Sequence, residues 1–423
     1  MNSKPFNSSV WRAGEALFQR VWISIQYFGS NGLANHAAAG AYGFLLSLMP
    51  ALLIVAFLIS GIYASSPHEV AGLILQMGFL GDVFDIGSTV ERFLDTFHPG
   101  FAGLTSLVNI LLAAIVFAFS MQRGLNSIFP NTKAVNPVKN WLVPLGLEMA
   151  VILFVFITVV SARLSLMLFG MDANGGLLKI VYLFSPFAGL GLLILGAYSL
   201  VPNRPPGRRS SLSGMALCIS VYAILSALFN VFINPARYNF LYGTLSNLIL
   251  LLAKVYFFFV FFFIGAQFAF VCEYFDALLF IKLRMIRSVP GVFFIDKFLF
   301  SSAANGRLQR YVRVYKQGET IFLQGEDSHD IYYILSGSVS IYINKKNGEQ
   351  NRIALIEADN FFGEMGHVLA SRRSATAKAD FTLTALVLPP SLFVQILTID
   401  RNAENKVIET LSERLKQTNE QLG

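Results

Sequence analysis

The stretch that decides the fold of the C-terminal part of the chain is FFGEMGHVLASRRSATAKA, residues 361–379. It lies in a region after residue 300 where apolar residues come in short alternating runs, such as Ile331 to Ile343. Glycines interrupt these runs, namely Gly318, Gly325, Gly337 and Gly348. Because such a pattern is typical of short strands joined by turns, we predict a strand-rich domain over residues 305–423.

A second stretch strengthens this prediction. Residues 315–337 read YKQGETIFLQGEDSHDIYYILSG, and together with residues 361–379 they resemble the cyclic-nucleotide-binding fold. The resemblance implies a β-roll with flanking helices, a phosphate-binding cassette and a closing C-terminal helix. Residues 402–421 carry apolar side chains at helical spacing and are predicted as that closing helix. The turn glycines of the roll are predicted to adopt positive φ.

The resemblance also implies a role for each residue of the cassette. Arg373, nine residues after Glu364, matches the arginine whose planar fork binds the cyclic phosphate. Glu364 matches the acid that accepts a hydrogen bond from the ribose 2′-hydroxyl. The other matching positions form the short helix and its surroundings: Gly363, Met365, Gly366, Ser374 and Ala375. We therefore expect cAMP or a related cyclic mononucleotide as a regulatory ligand, with cAMP preferred because position 374 is not Thr.

Each of these residues also has a plainer explanation. Taken singly, Glu364 and Arg373 are better explained as solvated surface charges, and Ser374 as a turn residue. The order Phe-Gly-Glu, the spacing to the arginine and the run Arg-Ser-Ala-Thr together favour a nucleotide site. His367 departs from the family, which has an apolar residue at that position of the cassette helix.

The first two thirds of the chain have a different character. Of the 423 residues, 55% are hydrophobic and 13% are charged, whereas soluble proteins have about 25% charged residues. Six segments reach the length of about 20 apolar residues that a membrane span needs: 38–63, 103–128, 141–163, 178–201, 211–233 and 245–272. We predict an α-helical polytopic membrane bundle of about six spans in residues 1–280, then a linker helix at 281–304.

Three stretches of this part resemble the YihY/BrkB family of bacterial inner-membrane proteins, once labelled ribonuclease BN. They are HAAAGAYGFLLSLMPALLIVAFLISGIY (36–63), LVPNRPPGRRSSLSGMAL (200–217) and YGTLSNLILLLAKVYFFFVFFFIGAQ (242–267). The resemblance implies a location in the inner membrane, in contact with lipid, and an architecture rather than a defined activity. The chain departs from the family at Gln267, where an acid is usual.

Loop charges predict the orientation of the bundle. All of the net charge of +7 lies before residue 300. Residues 64–102 are acidic, whereas the N-terminal arm, the loop at 204–209 and the segment 282–287 are basic. Because basic loops remain in the cytoplasm, both termini are predicted to be cytoplasmic.

Two ionisable residues within the apolar segments are candidates for function. They are Glu148 and Lys254. Placing an ionisable side chain at membrane depth costs free energy, so these two residues are candidates for an intramembrane functional site. A purely structural ion pair, or a Glu148 solvated near the interface, explains them equally well.

Other classes of site find little support in the sequence. The five histidines are far apart, and Cys218 and Cys272 lie in apolar runs, so we expect no metal site. There is no nucleophile elbow and no phosphate-binding loop ending in Lys-Ser or Lys-Thr, so we expect no enzymatic activity. No helix-turn-helix pattern follows residues 402–421, and we expect no nucleic-acid partner.

Two functions remain open from the sequence. The leading interpretation is a transporter or permeability protein regulated by cytoplasmic cyclic nucleotide. The alternative is a membrane-anchored nucleotide sensor or scaffold without transport activity. A homo-oligomer is compatible with both.

The predicted topology can be tested in the acidic loop. A cysteine introduced at Ser88 should react with a membrane-impermeant reagent added outside the cell, because residues 64–102 are predicted to be external. A cysteine at Arg209 is the matched control and should react only after the cytoplasm is opened. Labelling of position 88 from the cytoplasmic side alone would contradict the topology.

Overall fold

The computed structural model describes residues 8–46, 101–129, 176–232, 244–288, 294–300, 306–344, 350–369, 371–405 and 407–409, with single positions between 142 and 153 and at 412. Two compact units are present. One contains Met1–Arg20 and Tyr274–Gly423, and the other contains Val21–Glu273. Each is described by itself.

Helices are the regular secondary structure of the second unit in its described part, and the described residues 201–207 form a non-helical connection. Its helices are α1 (Ser8–Ser30, which begins in the first unit), a helical segment at 33–46, α2 (Phe101–Ile128), α3 (Gly176–Leu200), α4 (Arg208–Phe232) and α5 (Thr244–Glu273). Four of the six predicted spans coincide with α2 to α5. The predicted span 38–63 is helical up to residue 46; the rest of it and most of 141–163 lie outside the described residues.

Two helical stretches in the described part are long and apolar enough to cross a bilayer. They are Arg208–Leu228 and Leu252–Glu273. They confirm a helical region with apolar spans, while the number of six spans stays a prediction.

Helices α4 and α5 approach each other at two glycines. A Cβ atom added to Gly214 would lie 2.3 Å from the carbonyl oxygen of Gly265, and one added to Gly265 would lie 2.6 Å from that of Gly214. Beside this contact, Tyr198 Oη of α3 donates a hydrogen bond of 2.6 Å to the carbonyl of Phe262. Small residues allow close packing of this kind between apolar helices, where van der Waals contact replaces the hydrophobic effect.

The first unit contains a roll of two four-stranded antiparallel sheets. One sheet has the order β1-β8-β3-β6 and the other β2-β7-β4-β5. The strands are β1 (Val312–Tyr315), β2 (Thr320–Phe322), β3 (Ile331–Ser336), β4 (Ser338–Asn344), β5 (Gln350–Glu357), β6 (Phe361–Phe362), β7 (Thr376–Ala379) and β8 (Leu383–Leu388). The predicted strand-rich domain is confirmed.

The turn glycines behave as their pattern predicts. Gly318, Gly325 and Gly337 have φ of 76°, 84° and 92°. At Gly337, which joins β3 to β4, an added Cβ would also lie 2.7 Å from the carbonyl oxygen of Thr382. Only glycine satisfies both the conformation and the space at that turn.

Strand β3 departs from the alternation that its sequence indicates. Its first five residues are all buried, because β3 lies between β8 and β6 and is covered on both faces. Tyr332 stacks on Phe362 in the roll, with ring centroids 4.8 Å apart. Tyr333 points the other way, toward Phe280, at 4.9 Å.

Helices surround the roll within the first unit. Helix α6 (Phe275–Ser288) and α7 (Phe294–Phe300) precede it, a 3-10 helix spans Arg307–Tyr311, α8 (Glu364–Val368) follows β6, and α9 (Pro390–Ile399) follows β8. Residues 401–405 and 407–409 are helical, and the rest of the predicted closing helix 402–421 lies almost entirely outside the described residues.

The close approach of α4 and α5 gives a stability prediction. Replacing Gly214 with Ala forces a methyl group against backbone, so the helices must separate, at a cost of about 1–3 kcal/mol. Thermal unfolding of the purified protein should therefore occur at a lower temperature in Gly214→Ala. Gly196→Ala, where nothing lies within 4 Å of the added Cβ, is the matched control and should leave the transition unchanged. Equal transitions for both variants would contradict the packing described.

Candidate functional site

The cassette begins at a backbone reversal. Gly363 has φ of 79° and ψ of 2°, and it precedes the one-turn helix α8, which begins at Glu364. A Cβ at Gly363 would lie 2.9 Å from Arg373 Nη1 and 3.2 Å from Tyr332. Glycine therefore both permits the turn and leaves space for the arginine beside it.

Two hydrogen bonds hold the backbone of Arg373. Its N–H donates to the carbonyl of Glu326 at 3.0 Å, and its carbonyl accepts from the N–H of Gly325 at 2.8 Å. The loop after β2 thus holds the residue in place, next to the first residues of β7.

The guanidinium of Arg373 lies inside the roll. The residue is only 2% exposed. Its Nη1 donates to the carbonyl of Gly363 at 2.6 Å and its Nη2 to the carbonyl of Asp330 at 2.7 Å. Its Nε donates to Ser328 Oγ at 2.8 Å, and its Cζ lies 4.2 Å from the centroid of the Phe322 ring. Every acceptor in this set is a neutral oxygen.

Among the described residues, the charge of Arg373 is therefore buried without an ion pair. Burial lowers the pKa of Arg373, while Tyr332, Glu326, Asp330 and Glu364 act in the opposite direction, and a guanidinium stays protonated at neutral pH. Burial raises the pKa of Tyr332 to about 12, so its phenol is neutral and supplies no negative charge. Among the residues that the structure describes, no carboxylate forms a salt bridge with this arginine.

The remaining cassette residues lie around this group. Glu364 is 1% exposed, at the first position of α8. Gly366 is buried, and a Cβ there would lie 3.5 Å from Arg373 Nη1. Ala375 is buried, Met365 is half-buried and Ser374 is exposed. The structure thus brings Gly363, Glu364, Gly366 and Arg373 together, with Ser374 on the outer side.

Four residues that the sequence analysis did not single out complete the surroundings of Arg373. Ser328, Asp330, Phe322 and Tyr332 all contact its guanidinium. Asp330 contributes its main-chain carbonyl, so this contact could not be predicted from the amino-acid type at position 330. Phe322 and Tyr332 have the apolar character expected of strand residues, and only their positions in the fold distinguish them.

Helix α6 packs on the strand that leads into the cassette. The ring of Phe280 lies against Tyr333 and Phe361, with centroids 4.9 and 6.0 Å apart. Phe361 pairs with Tyr333 across the β3–β6 ladder and stands two residues before Gly363. The cassette and α6 therefore share one apolar contact.

Polar contacts anchor the second half of α6. Arg284 Nη1 donates to Asp400 Oδ2 at 3.2 Å, just beyond the end of α9. Arg287 Nη2 donates to the carbonyl of Leu335 at 2.5 Å, and its Nε lies 3.4 Å from Asp359 Oδ1. Burial raises the pKa of Tyr333, whose hydroxyl also donates to Asp359 at 3.1 Å. Helix α6 is thus held to β3, to the turn before β6 and to α9.

The intramembrane candidates are less completely described. Lys254 lies in the first half of α5 and is half-buried. Glu148 lies outside the described residues, so the pairing of the two stays a prediction. Within the described ranges, no group of three His, Cys, Asp or Glu residues could hold a metal ion.

Comparison with known proteins assigns the two parts of the chain. Residues 24–278 match the family model for Virulence factor BrkB, and residues 312–400 match that for the Cyclic nucleotide-binding domain. The chain is 21% identical over 247 residues to a UPF0761 membrane protein of Haemophilus influenzae, covering 57% of this chain and 90% of the relative.

The C-terminal part is similar to proteins of a different kind, which include transcriptional regulators. The chain is 25% identical over 114 residues to the cAMP-activated global transcriptional regulator CRP of Salmonella typhimurium, covering 27% of this chain and 54% of that protein. It thus spans about half the length of such relatives. The crystal structure of the Thermus thermophilus Catabolite Activator Protein matches 27% of this chain and 55% of that one, with 26% identity and a TM-score of 0.25. Because the BrkB model covers more than half of its residues, the chain belongs to the Virulence factor BrkB family of membrane proteins and carries, in addition, a cyclic nucleotide-binding domain.

Proposed function

We propose that this protein is an inner-membrane transporter or permeability protein whose cytoplasmic domain binds a cyclic mononucleotide, and that binding changes the state of the membrane bundle. The observation that carries the proposal is the guanidinium of Arg373, which is 2% exposed and donates only to neutral acceptors. Both termini are proposed to be cytoplasmic, with about six spans.

The chemistry of the buried arginine favours an anionic ligand. A buried charge is expensive unless an opposite charge accompanies it. A cyclic phosphate carries one negative charge and two free oxygens, which suit the two Nη atoms of the planar fork. For the phosphate to bind, those atoms exchange the carbonyls of Gly363 and Asp330 for phosphate oxygens, or use their remaining N–H groups. Either way the buried cation gains an anion.

Glu364 supplies the second half of the recognition. It is buried at the start of α8, beside the turn at Gly363. A carboxylate there is an acceptor for a ribose hydroxyl, so the site offers an acceptor and a cation to a ligand that carries both a sugar and a phosphate. We propose cAMP as the preferred ligand, supported by the cAMP-activated relative and by Ser at position 374.

Helix α6 is the proposed route from the ligand to the membrane bundle. It begins at Phe275, two residues after the end of the apolar stretch Leu252–Glu273, and it contacts Phe361 next to the cassette. A ligand biases an equilibrium only by its difference in affinity for the two states. A rearrangement of Gly363–Glu364 on binding changes the surface on which Phe280 packs, and this gives the two states different affinities.

The alternative is a membrane-anchored sensor or scaffold without transport. In that case nucleotide binds at Arg373 in the same way, but the helices of the bundle do not change their arrangement. The two functions therefore differ in the response of the bundle rather than in the binding of nucleotide.

The proposed ligand site predicts a large effect at one of two adjacent arginines. Arg373→Leu removes the charged partner of the phosphate, and the loss of about 1.5–3 kcal/mol should weaken cAMP binding at least tenfold. Arg372→Leu is the matched control, because Arg372 is exposed and adjacent to Arg373 in the chain. The affinity of this variant for cAMP should match that of the unchanged protein. Titration calorimetry of the full chain in lipid nanodiscs measures both. Equal affinities for all three proteins would refute the site.

The proposed coupling predicts a variant that binds nucleotide but does not respond to it. Arg284→Gln breaks the ion pair with Asp400, while the residues around Arg373 are untouched. The affinity for cAMP should change by less than about threefold, because a single ion pair contributes little free energy and this one does not contact the nucleotide site. The distance change that cAMP produces between spin labels at Leu192 of α3 and Ile249 of α5, measured in a chain without other cysteines, should be lost.

A charge exchange provides the control for this experiment. The double variant Arg284→Glu with Asp400→Arg restores an ion pair of reversed polarity and should restore the response. If saturating cAMP leaves the distances unaltered in the unchanged protein, the sensor or scaffold function takes the place of the regulated transporter.

A further inference from the structure

Helix α7 exposes two aromatic side chains on one face. Phe294 is 82% and Phe298 75% exposed, the highest values among the large apolar residues that the structure describes. Residues four apart lie on the same side of a helix, and Lys297, also exposed, lies beside them. We call Phe294, Lys297 and Phe298 the α7 face. Such exposure marks a surface that meets another apolar phase.

The opposite side of α7 packs against other helices. The two phenylalanines are therefore exposed on a helix that is held in place. Leu299 and Phe300 are buried. Asp296 is 4% exposed and accepts a hydrogen bond of 2.9 Å from Lys282 Nζ of α6. Gln19 Nε2 of α1 donates to the carbonyl of Leu299 at 2.8 Å. Helix α7 is therefore fixed between α6 and the first part of α1.

Further contacts within the first unit place α7 near the start of α6. Arg20, which follows Gln19, holds its guanidinium 4.7 Å from the centroid of the Phe275 ring. Phe275 is the first residue of α6 and follows Glu273, the end of the candidate span Leu252–Glu273, by two positions. Successive residues of α1 thus contact α7 and the start of α6, and α6 directly follows the candidate span in the chain.

We propose that the α7 face inserts into the surface of the lipid bilayer. Phenylalanine is typical of the apolar face of helices that lie in the membrane interface, and a lysine beside it meets the phosphates of anionic lipids. The five residues before α7 read VPGVF and carry no charge, which suits the same environment. This inference depends on the membrane location of the chain and not on the nucleotide site.

A second copy of the chain is the less favourable occupant. A phenylalanine buries about 150–250 Å², so two of them fall well short of the roughly 800 Å² per partner of a stable protein interface. A lipid surface requires no such area, because the spans already hold the protein in the bilayer. The α7 face then needs only to orient the unit that carries the roll.

The test measures the surroundings of the α7 face in the full chain. A nitroxide label is attached to Phe294→Cys or Phe298→Cys, in protein whose Cys218 and Cys272 are replaced by Ala, reconstituted in nanodiscs that contain anionic lipid. Collisions with oxygen, which is concentrated in lipid, are compared with collisions with a nickel complex, which stays in water. Both positions should report a lipid environment at a depth of about 5–10 Å. Phe381→Cys is the matched control, because Phe381 is an aromatic residue of the roll with 64% exposure, and it should report water.

Two further measurements make the result decisive. Lys297→Glu should reduce the depth in anionic nanodiscs and leave it unchanged in zwitterionic ones. Water-like accessibility at both 294 and 298 would overturn the proposal. It would also be overturned by dipolar broadening between labels at 298 that disappears on dilution with unlabelled protein, since that outcome identifies a second copy as the occupant.

Discussion

The first unit is organised around the burial of one positive charge. The guanidinium of Arg373 is held by acceptors from separate parts of the chain: Ser328 and Asp330 before β3, and Gly363 before α8. Removing such a group from water costs several kcal/mol unless polar partners replace the water. The arginine therefore fixes the loop between β2 and β3 and the start of the cassette relative to one another. No carboxylate among the described residues forms a salt bridge with it, and this is the basis of the proposed anion site.

Helix α6 belongs to the unit that contains the roll although it directly follows the last described span. The apolar contact of Phe280 lies near the strand that leads to the cassette, whereas Arg284 and Arg287 hold the far half of the helix to α9 and to β3. A physical route between two sites needs an element with two arrangements that both sites bias. In the proposed function α6 is the candidate for that element, because Phe280 contacts Phe361 next to the cassette and α6 directly follows the span Leu252–Glu273 in the chain.

The sequence predicted the roll well because its signals are local. Positive φ at Gly318, Gly325 and Gly337 follows from the turns that they occupy. The spacing of Glu364 and Arg373 places one charged residue at the start of a short helix and the other in the segment just before β7. The acceptors of Arg373 could not be predicted, since two of them are main-chain carbonyls that any residue would supply. Nor could the burial of the first five residues of β3, which depends on Phe280 of α6 covering its outer face, a contact between residues far apart in the chain.

In the membrane unit the family resemblance predicted helices better than it predicted chemistry. Gln267 stands where the family usually has an acid; it is fully buried, and its side-chain carbonyl accepts a hydrogen bond of 3.3 Å from Asn31. An ionised acid there would require a cation or water at the same depth. The Gln267 side chain is neutral and accepts from another amide, while its Nε2 is buried without a hydrogen-bond partner among the described residues. This substitution removes the need for a charge where the side chains of Asn31 and Gln267 meet, so a role that depends on a carboxylate at this position is absent from this chain.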